Sequence, residues 1–152
     1  MANGFDAPYV AKPWAITAYF FLFATAVAVV LATDNARWRL LGLESVLPGF
    51  YTHTSNLILS FLLLLTYGFL RLHRGGGLRE IMLLGAIIIA CNVIYEVFLT
   101  LYNTRDIVDA YYGAAGVAVA TAFFVLMKRY GLRPNMSRRP RAHARADALD
   151  GR

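Results

Sequence analysis

Four long apolar blocks, at about 14–33, 51–72, 78–101 and 107–130, run along the chain with short polar connections between them. Each comes close to the ~20 residues that carry a helix across ~30 Å of hydrocarbon. The pattern predicts an all-α fold: a polytopic membrane protein whose four transmembrane helices form an up-down bundle within residues 1–130. These spans use more than half of the 152 residues, so no separate soluble domain is expected. Residues 131–152 read as a disordered basic tail, because Pro134 and Pro140 interrupt any long helix there.

The first block has the position of a signal peptide but not its shape. Its apolar stretch, Trp14 to Thr33, exceeds the 7–15 residues of a typical signal-peptide core, and the segment before it carries Asp6 as well as Lys12. It is expected to be a retained helix. Composition agrees with a membrane protein, with 59% hydrophobic residues and a mean hydropathy of +0.52. The one cysteine, Cys91, lies in the third block and can form no intramolecular disulfide. A small, buried apolar role is expected for it.

Charge adds an orientation. Of the 15 Lys and Arg residues, twelve fall on one side of the predicted spans: Lys12, the connection LRLHRGGGLRE, and the tail from Lys128 onward. Only Arg37, Arg39 and Arg105 fall on the other. Cytoplasmic loops collect positive residues, so both termini and the Gly75–Gly77 connection are expected in the cytoplasm of a multi-pass cell-membrane protein. Trp14 and Tyr130 at one boundary, and Trp38, Tyr51 and Tyr102 at the other, match interfacial aromatic belts. The basic tail offers no aromatic residue after Tyr130 for base stacking, so acidic lipid headgroups rather than nucleic acid are its expected partner. The stretch RGGGLRE lacks the Gly-Lys-Ser/Thr ending of a phosphate-binding loop and reads as a flexible turn.

Candidate chemistry concentrates in 92–116, NVIYEVFLTLYNTRDIVDAYYGAAG. Asn92, Glu96 and Asn103 share one stripe of the third helix, with Leu99 between. Asp106, Asp109, Gly113 and Gly116 follow a similar stripe on the fourth, and the short link NTRD makes the two helices antiparallel neighbours. At the start of the second helix His53, Asn56 and Ser60 fall on one face. Three helices therefore bring polar stripes into the same half of the membrane. The first helix, rich in Ala and Val, is expected to face lipid or to pack.

Glu96 is the most informative of these residues. A charge at a helix centre costs ~2.5–3.5 kcal/mol on insertion scales, so the side chain should face the interior and have a partner. Arg105 and His53 are the available cations, and a protonated Glu96 is the third solution, since an apolar setting disfavours the charged carboxylate. Gly113 and Gly116, in a run of small residues, predict an internal packing seam.

Around DIVDAYYGAAG the chain resembles the VanZ-like family of small multi-helix membrane proteins. Glu96, Arg105, Asp106 and Gly113 fit parts of that family's pattern of Glu, Arg, then Asp followed by Asn and two glycines, while Ala110 stands where the Asn would fall. It resembles equally other small membrane proteins with a Tyr-Glu and Asn-Thr-x-Asp arrangement. The VanZ-like resemblance implies an envelope or glycolipid-related role.

Three function classes follow. In the first, His53, Asn56, Asn92, Glu96, Asn103, Arg105, Asp106 and Asp109 bind a polar or anionic headgroup from the outer leaflet, of a phospholipid or a polyprenyl-linked glycan carrier, with Arg105 on its phosphate or carboxylate. In the second, Glu96, Arg105, Asp106, Asp109, His53 and Asn56 form an internal structural network that fixes helix register and assembly. In the third, Glu96, His53 and Asp109 relay protons or cations in a transporter. Four helices leave little room for alternating access, so that version needs a homo-oligomer or a membrane partner protein. Helices two to four become apolar inward of Asn92 and Ser60, which counts against conduction. Catalysis is not expected, because neither a nucleophile elbow nor HExxH occurs; nor is a metal or other cofactor, because the His, Glu and Asp residues lack a ligand spacing.

Overall fold

Each apolar block becomes a helix because, in hydrocarbon, the backbone must satisfy its own hydrogen bonds. The computed structural model describes residues 7–40, 42–98 and 106–135. Helix α1 spans Pro13–Asp34, the short α2 Leu43–Val46, α3 Phe50–His73, α4 Leu78–Phe98 and α5 Ile107–Leu126. A single π-helical turn, Met127–Gly131, continues α5. The long helices α1, α3, α4 and the α5–π segment are each long and apolar enough to cross a membrane. The chain is a multi-pass membrane protein built as an all-α up-down bundle.

Local signals place the helix ends. Pro13 opens α1 at the first position, where its missing N–H would have no partner anyway. The Arg39 guanidinium closes it by donating to the carbonyls of Ala32 (3.4 Å) and Thr33 (3.1 Å), a cation at the negative end of the helix. Before α3, Gly49 takes φ +75°, a left-handed turn that an L side chain rarely adopts. The Asp106 carboxylate caps α5 by accepting from the Val108 N–H at 3.0 Å. Between α3 and α4 the Arg71 side chain pairs with Glu80 across the glycine turn.

Two short strands, β1 at Tyr9–Ala11 and β2 at Leu132–Pro134, pair antiparallel with Tyr9 opposite Pro134. Leu132–Pro134 thus belong to the folded body, whereas the sequence assigned 131–152 to a disordered tail. The backbone N–H groups that β1 and β2 bring together find partners in each other, which sequence periodicity over three residues does not reveal. Residues 136–152 lie outside the described residues. The strands join the segment before α1 to the segment after the π-helical turn at one end of the bundle, hereafter the strand end.

α3 and α5 form the central pair. Within their most apolar windows 39% and 44% of residues are buried, against 17% for both α1 and α4. Small residues set the distance between them: a Cβ on Gly116 would overlap the Leu57 carbonyl oxygen of α3, and one on Gly68 would overlap the Phe124 ring of α5. Gly113 and Gly116 therefore lie in an internal seam, as their spacing predicts. Phe61, Leu64, Leu65, Val117 and Phe124 fill the core around it. The outside is apolar too, with Phe20, Phe21, Leu63, Leu83 and Ile87 all exposed on the spans, as lipid contact requires.

Two expectations fail. Cys91 is exposed on the outer face of α4, not buried; the apolar block gave no face, and packing turned its neighbours Asn92 and Ile88 inward instead. Tyr51 is buried at 5% exposure, not interfacial. Its hydroxyl accepts from the Leu40 N–H at 2.8 Å, and the Arg39 guanidinium lies 5.0 Å above its ring, so it fastens the connection between α1 and α3.

Candidate functional site

The polar residues meet at the end of the bundle away from the strands, where α3 and α5 begin and α4 ends. Position on α3 sets their depth: His53, Asn56 and Ser60 descend one face over about 10 Å at 1.5 Å per residue. Each engages a different neighbour.

In the uppermost layer His53 meets the start of α5. Its Nδ1 lies 2.8 Å from the Asp109 carboxylate and 3.7 Å from that of Asp106. Asp109 is buried, at 9% exposure. Nδ1–H donation to a carboxylate fixes the imidazole tautomer and orientation. The Tyr112 ring, 5.4 Å from the imidazole, covers it from the α5 side.

One turn deeper the Asn56 Nδ2 donates to Glu96 Oε1 at 3.3 Å, and Glu96 is 5% exposed. Its partner is thus an amide, not His53. The imidazole sits three residues earlier on α3, level with the first turn of α5, so it reaches the aspartates rather than Glu96. Among the described residues no cation is paired with Glu96, and an amide donor to one oxygen leaves the second able to accept.

In the third layer the Asn92 Nδ2 donates to the Ser60 hydroxyl at 2.8 Å. Gly113 makes room for it, since a Cβ there would overlap the Asn92 amide. Ser60 stands four residues beyond Asn56, so its place in the stripe was legible although its pairing with Asn92 was not. Tyr112 was missed as a contributor; nothing in its spacing marks it apart from the neighbouring Tyr111, which is exposed.

Of the eight ligand-binding candidates, the structure brings together His53, Asp106 and Asp109, then Asn56 and Glu96, and sets Asn92 below them. Asn103 and Arg105 lie outside the described residues. Within the described residues the cluster holds three carboxylates against one imidazole. Every fully buried side-chain nitrogen and oxygen among them has a hydrogen-bond partner. No group of three His, Cys, Asp or Glu among them is placed to hold a metal ion.

Such an arrangement offers hydrogen-bond acceptors in excess of donors, within a bundle whose other surfaces are apolar. It can order a hydroxyl- or amine-bearing group, and it can hold three helices in register. Comparison with family models, with curated proteins and with solved structures finds no match to this chain.

Proposed function

We propose that the protein binds the polar headgroup of a membrane lipid or lipid-linked glycan at this cluster, in an envelope-related role of the kind the VanZ-like resemblance implies. The observation that carries the reading is the surplus, among the described residues of the cluster, of carboxylate oxygens on Glu96, Asp106 and Asp109 over the imidazole of His53. Sugar hydroxyls or an amine are donors suited to such a surplus of acceptors. Arg105, which directly precedes Asp106 in the chain, is the cation available to the phosphate of the same headgroup. In this reading the cluster opens to the outer leaflet and the strand end lies in the cytoplasm, where the positive residues collect.

Glu96→Gln tests the headgroup site. Glutamine keeps the shape and the carbonyl that accepts from Asn56, so the melting temperature in detergent should hold. Losing one charge-assisted hydrogen bond should weaken lipid retention about tenfold, read as co-purified lipid by native mass spectrometry. Retained lipid together with a large fall in melting temperature would leave only the second reading, a structural clasp. That reading is favoured by the full satisfaction of the buried polar atoms.

Orientation is tested by single cysteines in a Cys91→Ser background. Asn35→Cys should react with an impermeant thiol reagent from outside, and Gly77→Cys should not. Gly77 suits the purpose because a Cβ there meets nothing nearer than 3.9 Å. The reverse labelling would place the cluster on the cytoplasmic side.

A further inference from the structure

Helix α1 is fastened to the bundle near the strand end and along α3, but it stands away from α5. Near the strand end Ala15 is fully buried and lies against Gly131. Farther along, the Tyr19 ring packs on Phe69 of α3 at 4.1 Å. Between α1 and α5 a cavity of about 180 Å³ remains. Phe50 and Leu57 of α3 form its floor, Thr25 its α1 wall, and Gly116 and Val119 its α5 wall. Thr25 and Val119 are both exposed, so the cavity opens sideways from the bundle. All these residues lie within membrane-spanning helices, and the medium at that mouth is hydrocarbon.

Gly116 lies at the inner end of the cavity's α5 wall. Its missing side chain lets α5 rest on the Leu57 carbonyl, so that Gly116 and Leu57 close the inner side of the cavity. At the end away from the strands the cavity reaches Phe50, whose ring lies 6.2 Å from Tyr112, and Tyr112 covers His53. An apolar cleft therefore opens to the lipid at one side and ends against Phe50, with the Tyr112 ring between it and His53 of the acidic cluster.

We infer that this cleft holds one acyl chain of the membrane lipid whose headgroup the cluster binds; the inference rests on the function proposed above. Thr25 contributes the one polar side chain of the lining, so a polar occupant would lose its hydrogen bonds there. An apolar cavity of about 150 Å³ stays dry and admits a benzene-sized guest, the cross-section of a hydrocarbon chain. A helix of a partner protein, about 10 Å across, is too wide for it. The two halves of an amphiphile thus find matching surroundings in neighbouring parts of the bundle, on either side of Phe50 and Tyr112.

The test uses the full chain in nanodiscs of phosphatidylcholine doped with phosphatidylethanolamine carrying a diazirine in its acyl chain. After irradiation, labelled segments are mapped by mass spectrometry. Label should saturate around Thr25 and Val119 and exceed that around Leu83 and Ile87, exposed residues of α4 that face only bulk lipid. Thr25→Trp fills the mouth from an exposed position, and Val119→Phe does so from the opposite wall. Each should abolish the excess labelling of the cleft while leaving the α4 labelling unchanged. Uniform labelling of all apolar faces, or cleft labelling indifferent to both variants, would overturn the inference. Cleft labelling that responds to Thr25→Trp but accompanies unchanged lipid retention in Glu96→Gln supports the chain site and overturns the headgroup reading alone.

Discussion

Gly116→Leu should prevent the bundle from assembling, giving aggregated protein on size exclusion in detergent. Its Cβ alone would occupy the position of the Leu57 carbonyl oxygen, and that atom belongs to helix backbone, which cannot rotate aside as a side chain can. The only relief is to separate α3 from α5, the pair on which the rest of the bundle is built. Adding volume to a well-packed interior costs about 1–3 kcal/mol even where neighbours can shift. Gly116→Ala samples that lower range, and a fall of several degrees in melting temperature is expected at roughly 2–4 °C per kcal/mol. Gly113→Ala should cost less, because the group in its way is the Asn92 amide, a side chain that can move at the loss of its bond to Ser60. Gly77→Ala, with open space around it, is the control. An unaltered melting temperature for Gly116→Ala would refute the close α3–α5 approach.

His53→Ala should destabilise the far end of the bundle more than any other single change in the cluster. It leaves the buried Asp109 carboxylate, and Asp106 beside it, without the imidazole that faces both. Removing one partner of a fully buried ion pair costs about 3–5 kcal/mol. With side chains 16% and 13% exposed, His53 and Asp109 should approach but not reach that range. Asp109→Asn is milder, since the amide keeps a hydrogen bond to the imidazole. The decisive measurement is the double-mutant cycle: adjacent, hydrogen-bonded positions should couple by about 1–3 kcal/mol, so that His53→Ala with Asp109→Asn loses less than the two changes added. Zero coupling would mean that the imidazole and the carboxylate do not meet. The same cycle applied to Asn56 and Glu96 should give a smaller value, because that contact is longer, 3.3 Å against 2.8 Å.

Both experiments act on contacts of different legibility. The stripe His53–Asn56–Ser60 and the stripe Asn92–Glu96 were visible as faces, because helical periodicity assigns each residue an angle about its own axis. The seam at Gly113 and Gly116 was visible for the same reason. Which member of one stripe meets which member of another was not, because periodicity says nothing about how far one helix is shifted along its neighbour. That shift is fixed by where glycines let backbones touch, and it placed His53 opposite Asp109 and Asn56 opposite Glu96. Cys91 and Tyr51 escaped for a related reason: a polar stripe marks one face of a helix but not which of the flanking positions a neighbouring segment covers.

By itself, then, the sequence determined that this protein crosses a membrane on four helices, and it located their boundaries to within a few residues, because hydrocarbon thickness and backbone hydrogen bonding leave no other solution for such apolar blocks. It also determined that polar groups gather at one end, since short connections force alternate helices to begin and end there together. Tertiary structure alone decided the pairing of Tyr9–Ala11 with Leu132–Pro134, the amide partner of Glu96, the outward Cys91 and the cleft between α1 and α5. Each of these depends on distances between segments remote in the chain, which are set by side-chain volumes meeting across helix interfaces and leave no periodic trace in either segment alone.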